Sequence, residues 1–385
     1  MKYMRIAVIG SKGLPPKQGG IEHLCSEIYP RMVACGHSVD LYARSSYIQV
    51  AGNSTRDFKG VNIISLPSLK LRGIDAFLNA AIAAILCSRK PYDVIHFHAL
   101  GPSLFTFIPR LGLTSAKIVA TCHGLDWQRA KWGKISSLVI KTGERTGIRY
   151  ADAFTVVSKE LQSYFDKTYG HPTSYISNAP VAFANSDSQG TYVRSIGLNP
   201  QQYLIFVGRL VPEKCPDLLI RAFNELQVSG WKLVFVGGNS DTSAYTLELF
   251  EQARNNPNIV FTGELVGAKL AEVVRNAGLF VLPSNVEGLP LVLLEAMQEK
   301  IPVIVSDIPV HQQIVGDSRG LLFAKGDTAA CTKQLRWAID NPIAMKTFAQ
   351  RAESYVHSNH NWNDITSEYL GLYDSLLSSN QKHTK

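Results

Sequence analysis

The run Leu279-Phe-Val-Leu-Pro283 continues into Ser284-Asn-Val-Glu287-Gly-Leu-Pro-Leu-Val-Leu-Leu-Glu295, placing one carboxylate at a strand-to-helix turn and a second about two helical turns further on. That spacing asks for a ligand with several hydroxyls. A carboxylate in a loop accepts hydrogen bonds from a sugar ring, and one on the inner side of the following helix takes a vicinal diol with both oxygens. Between them, Gly288-Leu289-Pro290 turns the chain and offers backbone N–H groups at a helix start, where an anion is favoured. A plainer reading makes Glu287 a helix-entry acid and Glu295 a solvent-facing residue. The neighbours of Glu295 argue against it: Leu291, Val292, Leu293, Leu294, Ala296 and Met297 make the helix apolar almost all round, a setting where a carboxylate persists only with partners.

Cations precede this segment. Phe206-Val-Gly-Arg209-Leu-Val-Pro-Glu-Lys214 puts a guanidinium at the end of one strand and an ammonium just before the next helix. Aimed at one crevice, they would neutralise a diphosphate and stabilise the charge that grows as it leaves; otherwise they are surface charges. Near the N-terminus, Gly10 ends a strand and Gly19-Gly20 open a helix after a long loop, which is not the tight G-x-G-x-x-G turn of a dinucleotide site. A nicotinamide enzyme is demoted accordingly. Gly19 and Gly20 would let backbone approach a phosphate, although an ordinary glycine-rich loop fits equally well.

A third segment, Thr121-Cys-His123-Gly-Leu-Asp126-Trp127-Gln-Arg129-Ala-Lys-Trp132, leaves the sheet after a buried strand. His123 can donate a hydrogen bond to a sugar hydroxyl or a leaving phosphate, or merely cap the turn. Trp127 and Trp132 offer flat faces to a sugar or to lipid, or pack in a core. His96 and His98 alternate in Val94-Ile-His-Phe-His98 with no local acidic or histidine partner, so they read as structural residues rather than as metal ligands.

These residues need scaffolds to hold them. Short β-branched runs alternate with helical patterns along all 385 residues, the signature of parallel sheets wrapped by helices, and the length implies two domains. Strands are expected near 5–9, 38–42, 61–65, 93–97, 117–121, 153–157 and 174–176, then near 203–207, 232–236, 259–261, 279–282 and 302–305. Residues 178–202 are the linker candidate, with a boundary near 183. The expected division is an N-terminal domain over 1–183, with the helix 362–378 packed back on it, and a C-terminal domain over 184–361. Ligands belong at the carboxyl ends of the strands.

Charge divides along the same line. Residues 1–183 carry 22 Lys and Arg against 11 Asp and Glu, whereas the remainder carries 17 against 20. A basic first half points to an anionic membrane surface or a phosphate-bearing acceptor, or is simply a soluble basic surface. No basic helix, finger or aromatic signature accompanies it, so nucleic acid is not expected. The six cysteines form no C-x-x-C pair, zinc pattern or disulfide framework, which fits a reducing compartment. No signal peptide is visible at Met1, and the most apolar longer stretch, 76–86, is far short of the roughly 20 residues needed to span a bilayer. A cytoplasmic protein is expected, at most peripheral at the inner face of the membrane.

Taken in order, Gly19-Gly20 with Glu22, His123-Gly124, Val157-Ser158, Gly208-Arg209 with Lys214, and Glu287 followed by Glu295 resemble glycosyltransferase family four, over nearly the whole chain. The resemblance implies the GT-B architecture, two doubly wound Rossmann-like α/β domains facing across a cleft, and retaining transfer of a sugar from a nucleotide diphosphate-sugar. It would have Arg209 and Lys214 grip the diphosphate, Glu295 the ribose, and Glu287 the donor sugar. Backbone over Gly288, Leu289 and Pro290 would hold phosphate, and Glu264-Leu265 would meet the base. Gly19 and Gly20 would close on the diphosphate, and His123 would face the transferred sugar. The 123–132 stretch looks like bacterial polysaccharide-assembly transferases moving a hexosyl or deoxyhexosyl unit, with Asp126, Trp127 and Arg129 toward a glycan or lipid-linked acceptor. No cofactor or metal is implied, because basic residues and helix dipoles replace a divalent ion, and the departing phosphate helps deprotonate the incoming hydroxyl. Ala179 after Asn178, Cys215 after Lys214 and Gln313 depart from the family's pattern. Two other classes stay open: a nucleotide-sugar epimerase, which would convert the donor alone, and a non-catalytic carbohydrate-binding protein, which would bind it without product.

Overall fold

A computed structural model describes residues 2–16, 19–48, 57–68, 74–112, 114–128, 133–238 and 243–379. Two compact units form, one from Met1–Asn178 with Asn361–Lys385, the other from Ala179–His360. The first division therefore falls before the expected 183. Residues 179–183 go with the second unit because the backbone of Val181 hydrogen-bonds Glu295 and Phe183 packs against that unit's core. From Ala179 onward the expected linker is part of the second unit too, with Val193 of the short helix Thr191–Ser195 fully buried.

In the first unit, the strands are β1 (Arg5–Ile9), β2 (Ser38–Arg44), β3 (Asp57–Phe58), β4 (Val61–Leu66), β5 (Val94–His98), β6 (Lys117–Cys122), β7 (Ala153–Val156) and β8 (Ser174–Tyr175). Among the described residues they form one sheet in the order β3-β4-β2-β1-β5-β6-β7-β8, parallel except where β3 meets β4. Ile6 lies between Val39 of β2 and Val94 of β5. Helices cover both faces, so β5 is buried throughout, His96 and His98 included. The helix Gly20–Ala34 buries Leu24, Cys25, Ile28, Tyr29 and Met32. The helix Trp362–Ser379 packs on it through Trp362, Ile365, Tyr369, Leu370 and Tyr373, and Arg31 Nε donates to Asn363 Oδ1 at 3.0 Å.

In the second unit, β9 (Tyr203–Val207), β10 (Lys232–Val236), β11 (Ile259–Gly263), β12 (Leu279–Leu282), β13 (Val303–Ser306) and β14 (Leu321–Phe323) form a parallel sheet ordered β11-β10-β9-β12-β13-β14. The helices Pro216–Leu226 and Leu291–Gln298 press Leu218, Leu219, Phe223, Leu293, Leu294 and Met297 onto the core. Two strands escaped the sequence reading. β3 is two residues of antiparallel edge, and β14 is three residues at the opposite kind of margin, both too short to carry a period.

Each sheet reverses its strand order once, between β1 and β5 in the first unit and between β9 and β12 in the second. Open α/β sheets bind ligands in the crevice outside the carboxyl ends of strands at such a reversal.

Candidate active site

In the second unit, β9 delivers Gly208, Arg209 and Lys214 to one side of the reversal, and β12 delivers Ser284 and Glu287 to the other. They meet: Lys214 Nζ donates to Glu287 Oε1 at 2.6 Å, with both side chains 13% exposed. Ser284 Oγ donates to the same Oε1 at 2.8 Å. Burial alone would push the Glu287 carboxyl up, but the Lys214 ammonium, with smaller help from His311 and Ser284, outweighs it and holds the group below its ordinary value. Glu287 is therefore an ionised, acceptor-only group. Both hydrogen bonds fall on Oε1, so Oε2 keeps its acceptor capacity, and the ammonium keeps two of its three donors.

Gly208 makes this closure possible. Its φ of +153° suits glycine, and a Cβ built there would lie 3.3 Å from Lys214 Cδ, so the lysine stem folds back over the end of β9. The loops are stitched by Asn285 N donating to Glu213 O at 2.9 Å. Arg209 is half-buried at the same strand end.

Below the carboxylate lies a support that the sequence reading missed. Ser306 Oγ donates to Ser284 O at 2.5 Å, and His311 Nδ1 contacts Ser306 O at 2.9 Å. Burial pulls the His311 ring down to about 4 despite the nearby Glu287 charge, so it is neutral at pH 7 and Nδ1–H is the donor to the carbonyl. The only sequence signal was a histidine in the first turn after a buried strand.

Glu295 lies on the helix Leu291–Gln298, which has no side-chain N-cap after Gly288, Leu289 and Pro290. The N–H groups of Leu291 and Val292 at its start have no intrahelical acceptor. Glu295 is half-buried with a backbone hydrogen bond from Val181, and burial raises it to about 7. Among the described residues no cation offsets this burial as Lys214 does for Glu287, so the setting expected to demand partners instead favours a proton. Glu264 is exposed after β11 and rests on the loop after β10, since a Cβ on Gly238 would lie 2.7 Å from its Oε1; Leu265 packs against the core.

The reversal of the first unit lies where β1 and β5 end. Gly10, at the end of β1, has φ +105°, and a Cβ there would stand 2.1 Å from the backbone oxygen of His98 on β5. Gly19 precedes the helix that begins at Gly20, and Glu22 of its first turn is buried with Oε1 accepting from Lys12 N at 3.0 Å. The carboxylate thus ties the glycine loop to its helix.

His123, half-buried at the end of β6, heads a chain of buried hydrogen bonds. Its Nε2 contacts His98 Nδ1 at 3.0 Å, His98 Nε2 contacts Tyr29 OH at 2.6 Å, and Tyr29 OH contacts His96 Nδ1 at 3.0 Å. His96 continues to Tyr373 OH at 2.7 Å and, through Nε2, to Thr121 Oγ1 at 2.6 Å. Burial lowers His96 to about 3 and drives His98 well down, so both are neutral and each carries one ring proton. Each of these rings then donates through one nitrogen and accepts through the other, which couples the links of the chain up to the contact with His123. The sequence reading of His96 and His98 did not reveal this connection to His123. Among the described residues, no cluster of three or more His, Cys, Asp or Glu has the arrangement of a metal site.

Asp126 and Trp127 lie in the short turn Asp126–Gln128. Trp127 is less available than its flat face promised: Nε1 donates to buried Glu144 Oε2 at 3.0 Å and Lys141 Nζ covers the ring at 4.6 Å. Glu144 also accepts from Tyr164 at 2.9 Å and Tyr169 at 2.5 Å. Arg129 and Trp132 fall outside the described residues.

Similarity to known proteins agrees with this geometry. Residues 18–179 match the family model described as Glycosyltransferase Family 4, and residues 190–355 match Glycosyl transferases group 1. A GDP-mannose-dependent alpha-(1-6)-phosphatidylinositol monomannoside mannosyltransferase of Mycobacterium tuberculosis is 24% identical over 79% of this chain and 81% of its own. Among solved structures, sucrose-phosphate synthase from Thermosynechococcus elongatus superposes with a TM-score of 0.83 at 20% identity, covering 98% of this chain and 100% of its own. HepE of Anabaena, solved in complex with UDP and glucose, gives 0.78 at 17% identity, covering 97% and 100%. With each half matched in turn and both sheets of the expected kind, the chain belongs to the family-four glycosyltransferases of GT-B fold.

Proposed function

We propose that this glycosyltransferase transfers a sugar, with retention, from a nucleotide diphosphate-sugar to a glycan or lipid-linked acceptor in cell-surface polysaccharide synthesis. The observation that carries the reading is the Lys214–Glu287 pair at 2.6 Å at the sheet reversal. An ammonium with two spare donors suits a phosphate oxygen, and an ionised carboxylate with one spare oxygen suits a sugar hydroxyl, so one pair addresses both ends of the bond that breaks. Arg209 adds a second cation at the same strand end, and the uncapped helix start after Pro290 adds backbone N–H groups. In this reading the two cations supply the charge that a divalent ion supplies elsewhere. Glu295 takes the ribose hydroxyls and the loop at Glu264-Leu265 takes the base.

The first unit contributes Gly19 and Gly20 as backbone donors and His123 as a donor to the transferred sugar, with Asp126, Trp127 and Arg129 on the acceptor side. Its excess of basic residues fits an acceptor bearing phosphate or embedded in an anionic membrane. The relative that uses GDP-mannose and a phosphatidylinositol monomannoside, and the neighbour solved with UDP and glucose, support a nucleotide-sugar donor and a lipid-borne acceptor.

Thermal-shift screening against nucleoside diphosphates and their sugars identifies the donor, because a ligand that binds the folded state raises its stability with occupancy. Transfer is then assayed with that donor. Arg209→Ala is expected to retain its unliganded melting temperature and lose transfer by about a hundredfold or more. Turnover near wild type in that variant would remove the diphosphate assignment.

A further inference from the structure

The helix Lys134–Tyr150 buries Ile140, Gly143, Glu144, Gly147 and Ile148 on one side. The opposite side is apolar where solvent should be: Ile135 is 82% exposed, Leu138 63% and Val139 37%. These residues share one stripe at helical spacing, which continues through exposed Arg145 and Arg149 and is flanked by exposed Lys134. The single acidic residue of this helix, Glu144, is on the buried side. A clustered apolar strip whose exposed charged neighbours on the same helix are all positive is not an ordinary soluble surface.

We propose that this face is a bilayer-docking surface that seats the first unit on an anionic membrane, with Ile135, Leu138 and Val139 entering the boundary between headgroups and acyl chains. Lys134, Arg145 and Arg149 meet the lipid phosphates. Charge selects the lipid surface over a second copy of the chain. A two-fold contact through this face would set Lys134, Arg145 and Arg149 against their own duplicates, whereas an anionic bilayer complements all three. The segment that leads into the helix has the same character, with Arg129, Lys131 and Trp132 in sequence. No helix among the described residues is long and apolar enough to cross a membrane, so the attachment is interfacial.

The face is joined to the acceptor loop. Trp127 is fastened to this helix through Glu144 at 3.0 Å, Ser137 Oγ donates to Trp127 O at 3.1 Å, and Lys141 lies over the indole. Docking by Ile135 and Leu138 therefore fixes the height of the His123–Gln128 segment above the membrane, where the headgroup of a lipid-linked acceptor would present its hydroxyl. This deepens the lipid-linked form of the proposed acceptor and rests on it.

The test is co-sedimentation of the full chain with vesicles of phosphatidylcholine alone or mixed with phosphatidylglycerol. Wild type is expected to sediment with the anionic vesicles and to be released by salt. Ile135→Ser/Leu138→Ser and Lys134→Gln/Arg145→Gln/Arg149→Gln are each expected to weaken binding by about tenfold or more. Their thermal response to nucleoside diphosphate should match wild type, which shows that they are folded. Wild type left in the supernatant with both lipids overturns the proposal, as does wild-type binding by both variants. A wild-type dimer that Ile135→Ser/Leu138→Ser converts to monomer, without vesicle binding, overturns it in favour of self-association. Absence of any nucleotide response would instead count against the transferase reading and leave the vesicle result independent.

Discussion

Removing the Lys214 ammonium as Lys214→Met tests the pair at the centre of the donor site. At 2.6 Å and an effective dielectric of about 20, the gross attraction is about 6 kcal/mol. Desolvation of both groups cancels part of this, and breaking a buried pair by deleting one partner costs about 3–5 kcal/mol. The low end applies, because Glu287 keeps the Ser284 hydroxyl and can take up a proton. A loss of about 3 kcal/mol lowers the melting temperature of a unit this size by about 6–12 °C. Glu287→Gln should cost about 2 kcal/mol, since the freed ammonium can reach water, and the double variant about 3 kcal/mol, leaving a coupling of about 2 kcal/mol. The assay is calorimetric unfolding of the four proteins from about pH 3 to pH 8. Because the folded value of Glu287 lies below the ordinary 4.5, its contribution is present above that value and is lost as pH falls through the folded one. The gap between wild type and Lys214→Met should therefore be complete at pH 7 and shrink at pH 4 and below. A gap unchanged with pH, or a coupling below about 0.5 kcal/mol, would refute the reasoning.

Three further outcomes follow from other parts of the chain. Glu295 stands at about 7, and a diol is held best by its ionised form, so donor affinity measured by calorimetry should be about tenfold weaker at pH 6 than at pH 8; Glu295→Gln should flatten that dependence. Gly10→Ala would drive a methyl to 2.1 Å from His98 O, and should cost about 3 kcal/mol or more in chemical denaturation, whereas Gly112→Ala, with nothing within 4 Å, should cost about 1 kcal/mol. Tyr29→Phe removes the hydroxyl between His96 and His98, so nitrogen-15 NMR of the His123 ring should change and transfer should slow with the donor KM unaltered; an unchanged ring spectrum would sever His123 from the chain.

Much of this was readable from local pattern. β9, β10 and β12 lie where their apolar runs end, and Gly208, Arg209, Lys214, Glu287 and Glu295 all stand at strand ends or at the helix that follows. The Lys214–Glu287 bond joins residues 73 positions apart and exists only because β12 pairs with β9, a choice of neighbour that periodicity does not encode. The same holds for His98 and His123, brought together by the pairing of β5 with β6, and for Ser306 beneath Ser284. Residues 179–183 were assigned by composition to the wrong side of the boundary, because a loop rich in turn formers gives no sign that Phe183 and Val181 will be held by a core elsewhere in the chain.

The central claim is that the diphosphate of a sugar donor is bound at the β9–β12 reversal. A crystal structure with the nucleoside diphosphate selected by thermal shift tests it most directly. The account predicts phosphate oxygens within hydrogen-bond distance of Lys214 Nζ and the Arg209 guanidinium, with the ribose hydroxyls on Glu295. A nucleotide bound elsewhere, with the Lys214–Glu287 pair facing solvent and no phosphate near it, would contradict it.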